Sequence, residues 1–591
     1  MFKKINFFTG PVLVLITTLI LYIITSPFTV QSGDTGELVT NSYFLRVSHP
    51  PGYPLWTLIY HIPVRYLNFG NPFQAASLVT IFISLTWLFL LLRRFNKKDE
   101  CLVLSVLTTS LIVWRYSVLP DVFALHLLFL TIVFLVFENP KLLEKNWVFF
   151  IVSLGVANHH TILFAFPLFL YAFLKNPSIK KLYLSILCGV VSFSVYFILF
   201  LFHPEDYGSW NNIVSFDKLL SHFLRKDYGT LSLMAFSEDK SSWAYFFLTN
   251  FLQDAWSIIF VMIYFIFKNR NVFLSKWKQI IILISSLIFY YLIFSIFGEV
   301  DLSRDAESVF ERFLIHPTFF VFFLVLFLIR SSSKDLPKWI GFCLLINVGV
   351  NVSRNYSANN YRKNTHIEDY LLNALNNLPK DVIYFTSGDT FGFGTYYLKD
   401  VLKLRPDIIH IHSTWGNDWF LKKFREKHPN IFSSNAPTFN ENFDFESRRL
   451  FTNFSPTSLA SGYAKVYHGL VFEISKFRDP KEVKLLNCNF KYNWRNRPII
   501  EDYQSFEIGL HYDLKYGDCY HAEAGLHILS KNLDLAKNSI LNAISLSPNN
   551  TSYRENLCKI YKLRRDPQLG ECKNKLIEMY SLINPKYYEF M

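Results

Sequence analysis

Apolar residues in this chain come in long unbroken blocks, not at the alternating or three-to-four spacing of a soluble core. Phe7 to Ile24, Ala75 to Leu92, Leu182 to Phe202 and Phe313 to Ile329 carry no Asp, Glu, Lys or Arg. Each block meets the roughly 17 to 25 residues that a helix needs to cross a bilayer. Basic clusters separate the blocks: Lys3 and Lys4; Arg93, Arg94, Lys97 and Lys98; Lys141 and Lys145; Lys175, Lys180 and Lys181; Lys268, Arg270, Lys276 and Lys278; and Arg330, Lys334 and Lys338. Lys and Arg accumulate in cytoplasmic loops, so successive clusters enclose pairs of spans with a far-side loop at residues 30–74, 113–121, 203–250 and 298–312. The interval 147–173 is too short for two full crossings. It reads as two half-helices meeting near Gly155, Asn158, His159 and His160 beside a cavity, or as one tilted span that would invert the orientation of every later span. No small-residue cleavage site is present after the first block at Ser26, Pro27 and Phe28, which makes it an uncleaved span.

The last span, about Trp339 to Val350, is short and leaves 351–591 on the far side. There Asp381 to Thr386 and Asp407 to His412 have the β-former richness of buried strands, with a turn at Gly388 and Asp389 and a helix at Tyr396 to Leu402 between them. Near the end, Ala524, Ala536, Ile540, Ala543 and Pro548 fall at the small and apolar positions of a tetratricopeptide hairpin, a pattern that an ordinary packed helix pair also satisfies. The pattern predicts a polytopic α-helical membrane protein of about 11 to 12 spans over 1–350. An extracytoplasmic α/β domain comes next over 351–510, then a helical, tetratricopeptide-like region over 511–591.

Composition narrows this further. Of 591 residues 51% are hydrophobic and only 18% charged, which excludes an ordinary cytosolic enzyme. The net charge of +13 sits in the clusters flanking the spans, so no basic domain remains for nucleic acid. The seven Cys lack the paired spacing of a zinc site, and from their scatter we expect neither a metal knuckle nor a disulfide framework.

Candidate chemistry collects in the far-side loops. The first holds Ser32-Gly33-Asp34-Thr35-Gly36-Glu37, then Ser48-His49-Pro50-Pro51-Gly52-Tyr53-Pro54. Asp34 and Glu37 admit two compatible readings. One is an N-cap at Asp34 with Glu37 closing a capping box. The other is a carboxylate base at the membrane surface. Asp121 opens a span after Pro120, with His126 five residues on; ionisable groups there face the bundle interior by default. Adjacent His159 and His160 lack the i, i+3 or i, i+4 spacing of metal ligands on one helix face, and are expected to bond substrate or the loop acids. Arg225, Lys226 and Tyr228 in the 203–250 loop and Arg312 in the 298–312 loop supply donors for a phosphate. Glu311 beside Arg312 reads equally as a surface ion pair.

The stretch Ser32 to Trp56 (SGDTGELVTNSYFLRVSHPPGYPLW) resembles the signature of the transmembrane protein 260 family of GT-C protein O-mannosyltransferases. LPDVFALH (Leu119 to His126), SLGVANHHTILFAFP (Ser153 to Pro167), HFLRKDYG (His222 to Gly229), ERFLIHP (Glu311 to Pro317) and FTSGDTFGFGTYYLKDVLKLRPDI (Phe385 to Ile408) resemble it in the same order. Asp121 departs from the Glu expected there. The resemblance implies a GT-C fold and transfer of a sugar, mannose, from a polyprenyl-phosphate donor to an acceptor hydroxyl on protein or glycan, with inversion. It casts Asp34 as base and Glu37 as its nearest substitute. His49, Tyr53, Asp121, His126, His159, His160, Arg225, Tyr228 and Arg312 would then surround the substrates. No cofactor is implied, and a divalent metal is left open. The partners implied are the lipid-linked donor, the acceptor and membrane lipid. Richness in Lys, Asn, Phe and Ile suits a bacterial inner membrane with the active side in the periplasm; in a eukaryote the same side is the endoplasmic reticulum lumen. A transporter or flippase of a lipid-linked sugar is the rival class. Interrupted internal repeats would mark one, and the whole first-loop motif has no second copy in the membrane region.

Overall fold

A computed structural model describes residues 10–67, 69–203, 208–228, 243–297, 311–412, 426–429, 448–453, 463–476, 486–495 and 515–583. The Lys3 and Lys4 cluster, residues 298–310 of the fourth expected loop and 204–207 and 229–242 of the third lie outside them. The chain forms two compact units. The first is Met1–Thr29 with Glu37–Lys363, and the second is Val30–Gly36 with Asn364–Met591.

The first unit is helical. Four of its described helices are long and apolar enough to cross a membrane: Pro72–Arg94, Ile179–Leu201, Tyr245–Lys268 and Glu311–Ser331. The pair Lys98–Thr109 and Leu111–Val118 makes a fifth if its 69° bend is counted within one span. Five more apolar helices are shorter: Gly10–Thr25, Phe123–Glu138, Trp147–Asn158, His160–Leu174 and Trp277–Ile293. The Glu311–Ser331 span is 83% buried and runs through the bundle interior, whereas Ile179–Leu201 is 22% buried and turns Ile179, Leu182, Tyr183, Ile186 and Val190 outward. Apolar side chains exposed on such a scale belong against lipid. The short 147–173 interval forms two helices interrupted at His159, whose backbone is extended.

Two breaks fall inside apolar helices, at Ser110 and at Ala255, where φ is −133°. A freed backbone group at membrane depth costs several kcal/mol unless protein satisfies it. One helix does so here. The span expected to stop at Val350 continues to Asn359, because Lys338–Asn359 carries Asn347, Asn351, Asn355 and Asn359 at i, i+4 spacing, all buried. The Asn355 amide donates to Thr109 O at 3.0 Å and that of Asn359 to Leu111 O at 3.1 Å. Asn347 and Asn351 both donate to Asp254 O at 2.8 Å. The Asp254 carboxylate accepts from Leu111 N at 2.7 Å and pairs with Arg354.

The second unit holds a six-stranded mixed sheet, β1 (Ile383–Thr386), β2 (Ile409–His412), β3 (Leu450–Thr452), β4 (Tyr463–His468), β5 (Val471–Lys476) and β6 (Leu486–Asn487), in the order β2-β1-β3-β5-β4-β6. β1 runs parallel to β2 and β3, and β5 antiparallel to β3 and β4. The β1–β2 connection is helical, as parallel pairing requires. Its helix starts at Asp389, earlier than the expected Tyr396, and runs as an α-helix over Asp389–Tyr396 and as a π-helix over Tyr397–Val401, within the expected stretch. Gly388, at φ 89°, ends the strand so sharply that the helix starts on the next residue, and the wider π-helical turn is closed by Leu402 N donating to Tyr397 O at 3.3 Å. Four further helices, Asp518–Leu529, Leu533–Leu546, Thr551–Arg564 and Leu569–Ile583, form two successive hairpins. The small residues Ala524, Ala536 and Ala543 are fully buried with Ile540 between them, under Tyr553 and Leu557. Only the first of these hairpins is expected from the sequence pattern.

The cysteines correct an expectation. Cys488 bonds Cys519 and Cys558 bonds Cys572, while Cys101, Cys188 and Cys343 are free. Separations of 31 and 14 residues carry no local signature, and the fold alone brings each pair together. Alkylation of the unfolded, unreduced protein is therefore expected to label three thiols, and seven after reduction; seven without reductant would exclude both bridges.

Burial also sets an acid limit on the second unit. It depresses His366 and His412 to about 4, from an ordinary 6.5. A histidine held neutral in the fold contributes fully above 6.5, and that contribution is lost as pH falls toward 4, because the unfolded chain takes up protons first. Amide exchange across this unit should accelerate as full-length protein is taken from pH 7 to pH 4. A flat profile would mean that neither imidazole is buried.

Candidate functional site

The first-loop acids separate once the chain folds. A helix begins at Thr35, where the capping reading places it, and runs to Phe44 with Glu37 in its first turn and 3% exposed. Glu37 does not turn back to close a capping box. One carboxylate oxygen accepts from His49 N at 2.8 Å and the other lies 2.5 Å from His49 Nδ1. A carboxylate can only accept, which puts a proton on Nδ1 and leaves Nε2 of a neutral ring to accept from the Tyr53 hydroxyl at 3.2 Å. The His-Pro-Pro-Gly-Tyr-Pro turn makes this geometry. Gly52 N donates to His49 O at 2.8 Å, and Gly52 holds φ at 97° with a would-be Cβ 3.0 Å from both His222 Nε2 and Leu199 Cδ1. Only glycine suits that position. His222 in turn bonds Ser48 O at 3.0 Å.

From Tyr53 the polar groups continue inward. The Tyr53 ring stacks on His159 with centroids 6.1 Å apart. His159 Nδ1 lies 2.7 Å from Thr161 Oγ1, and Thr161 Oγ1 is 3.5 Å from His126 Nε2. His126 Nε2 is 3.2 Å from His316 Nδ1, whose ring stacks on Tyr290 at 4.7 Å. Asn158 anchors the break at His159 by donating to Val122 O at 3.1 Å. The two halves of the 147–173 interval therefore present His159 to His126 across the bundle.

Acids and cations pair crosswise. The Asp121 carboxylate accepts from Val122 N at 2.6 Å and lies 3.9 Å from the Arg312 guanidinium, while its carbonyl accepts from Trp56 Nε1 at 3.1 Å. Glu311 is no surface partner of Arg312. Both its oxygens accept from Arg115 Nη1 at 2.6 Å, and the Tyr116 hydroxyl donates to it at 3.2 Å. His160 lies apart from the relay, 3.5 Å from the Tyr196 hydroxyl and packed on Phe223 at 4.5 Å. The Arg225 guanidinium sits 5.2 Å over the Tyr228 ring. That segment joins the site through Asp227, which accepts from Trp210 Nε1 at 3.1 Å, and the edge of Trp210 faces His49 at 6.1 Å.

The first unit thus gathers Glu37, His49, Tyr53, His126, His159, Asp121 and Arg312 in one polar array. Arg225, Tyr228 and His160 lie on its flank. Asp34 belongs to the other unit, in the turn just before the helix that carries Glu37. Arg115, Thr161, Tyr290 and His316 join the array without having been expected from the sequence. Arg115 was detectable as the one charge in the apolar run Leu111 to Val118, where an ionisable residue marks a site by default.

Comparison with known proteins bears on this array. The family model described as the protein O-mannosyl-transferase TMEM260 N-terminal domain matches residues 34–98, which include Asp34, Glu37, His49 and Tyr53. A Mus musculus relative named protein O-mannosyl-transferase TMEM260 is 27% identical over 464 residues, covering 71% of this chain and 65% of its own. A Dictyostelium discoideum relative of the same name is 24% identical over 460 residues, covering 67% and 56%. The chain therefore spans less than two thirds of either relative. The chain is thus similar to proteins of the TMEM260 family, by the family model over residues 34–98 and by both relatives.

Proposed function

We propose that this protein is a GT-C type glycosyltransferase that moves a sugar, mannose by the names of its relatives, from a polyprenyl-phosphate carrier to a Ser or Thr hydroxyl of a protein. The observation that carries this reading is the Glu37, His49 and Tyr53 relay, running into His159, Thr161 and His126 beside the Asp121 and Arg312 pair, within a bundle of apolar helices. Such a polar interior is costly in a membrane and is kept for chemistry.

The acceptor oxygen attacks the anomeric carbon as the bond from that carbon to the phosphate oxygen breaks. The bonding pair leaves with the polyprenyl phosphate, and the configuration inverts. Asp34 takes the hydroxyl proton as general base. Arg312, paired with Asp121, offers its positive charge to the departing phosphate, with Arg225 as a second cation. Glu37 fixes the tautomer of His49, and His49 in turn orients the Tyr53 hydroxyl, whose oxygen is left to accept from a sugar hydroxyl. No cofactor enters this scheme. The reaction side is extracytoplasmic, the periplasm if the membrane is a bacterial inner one. Two disulfides in the second unit support this, since such bonds persist in oxidising compartments. We assign residues 364–591 the role of acceptor platform, since 351–363 belong to the first unit.

Membranes supplied with radiolabelled polyprenyl-phosphate mannose should transfer label to protein with the wild type and not with Asp34→Asn, since an amide cannot accept the proton. Near wild-type turnover in that variant would remove Asp34 from the role of base. Glu37→Gln and His49→Ala should each lower turnover by about 10²-fold, the loss expected when a reacting group is misplaced by about 1 Å. The double variant should lose little more, because the pair acts as one unit. Multiplying losses would mean that the two side chains act independently.

A further inference from the structure

The string Ser32-Gly33-Asp34-Thr35 recurs once in the chain, as Ser387-Gly388-Asp389-Thr390. Read along the sequence, the second copy is only a turn after a strand. In the fold the second copy holds the first. Thr390, 2% exposed in the first turn of the Asp389–Tyr396 helix, accepts through Oγ1 a hydrogen bond from Gly33 N at 3.0 Å. On one side of that bond, Gln31 donates to Asn364 O at 3.0 Å and accepts from the Asn364 amide at 2.9 Å. On the other, Gly36 lies so close to the same helix that a Cβ would stand 2.6 Å from Phe393 O. Residues 31, 33 and 36 are thus fixed to elements of the second unit, and Asp34 lies between the anchors.

We infer that Thr390, with the seat that Gly36 takes on the Phe393 carbonyl, positions Asp34 for proton abstraction, so that the second unit acts on the transfer step by holding the base. This rests on the transferase reading above. Thr390 touches no substrate and is a positioning residue. The hydroxyl matters for a simple reason: a backbone N–H left without its acceptor in a half-buried turn is unfavourable, and the turn relaxes to recover a partner. A relaxed turn carries the carboxylate away from the acceptor hydroxyl, and about 1 Å of displacement costs on the order of 10²-fold in rate.

Thr390→Val keeps the shape and removes the acceptor. In full-length protein in membranes it should lower kcat about ten- to a hundredfold and leave KM for polyprenyl-phosphate mannose within about twofold, with Thr390→Ser restoring kcat. Amide exchange over residues 30–36 should speed up in the valine variant and not in the serine variant. A merely structural Thr390 would change the amount of inserted protein and not kcat per folded molecule, which would overturn the inference. Should the valine variant fail to insert, wild-type exchange decides: a Gly33 amide that exchanges as fast as a free peptide overturns the clamp. Active wild type, inactive Asp34→Asn and unaffected Thr390→Val would overturn the clamp alone. A wild type that transfers no sugar, with residues 30–36 protected, would overturn the transferase reading and with it the catalytic meaning of the clamp.

Discussion

The first unit depends on one constraint: inside a bilayer, every backbone N–H and C=O must find a partner in the protein itself. Continuous helices meet it without help. This bundle interrupts its helices at Ser110, His159 and Ala255, and each interruption is answered by polar side chains. The asparagines of Lys338–Asn359 with Asp254 serve the first and third, and at the second the Tyr196 hydroxyl donates to Val156 O while His159 Nδ1 accepts from Thr161 N. The breaks create room for polar groups between apolar helices. Their repair makes that room rigid.

Charge is placed on the same principle. Burying an ion is tolerable only when a partner and good geometry offset desolvation. Arg115 meets Glu311 through both carboxylate oxygens, and Asp121 meets Arg312. The neighbours in sequence, Glu311 and Arg312, are thereby directed to different partners, and the array keeps both cations and both acids without an isolated charge among these four. Glu37 and His49 obey the same logic. The carboxylate satisfies a backbone N–H and a ring N–H at once, which orients the imidazole toward Tyr53.

The second unit solves a different problem. Its strands are short, two to six residues, and its sheet is mixed. Cross-links supply what a small core does not. Cys488–Cys519 ties the last strand region to the first helix of the hairpins, and Cys558–Cys572 closes the second hairpin. The close approach of Gly36 to the Phe393 carbonyl gives a loop from early in the chain a fixed seat on this unit.

The sequence by itself determined the membrane character, the helical class, the strand-turn-strand run around Gly388 and which polar residues were candidates for the array. These come from one-dimensional properties: apolar run length, the flanking Lys and Arg, β-former content, and polar residues such as Asp121, His159 and Arg312 standing where a span should be apolar. Only the tertiary structure decided who pairs with whom. Glu37 bonds His49 twelve residues away instead of capping its own helix, Glu311 reaches Arg115 across 196 residues, Thr390 holds Gly33 across 357, and four cysteines without a spacing motif form two bridges. A pairing depends on which elements the packing brings within about 3 Å of each other. Local periodicity carries no record of that distance.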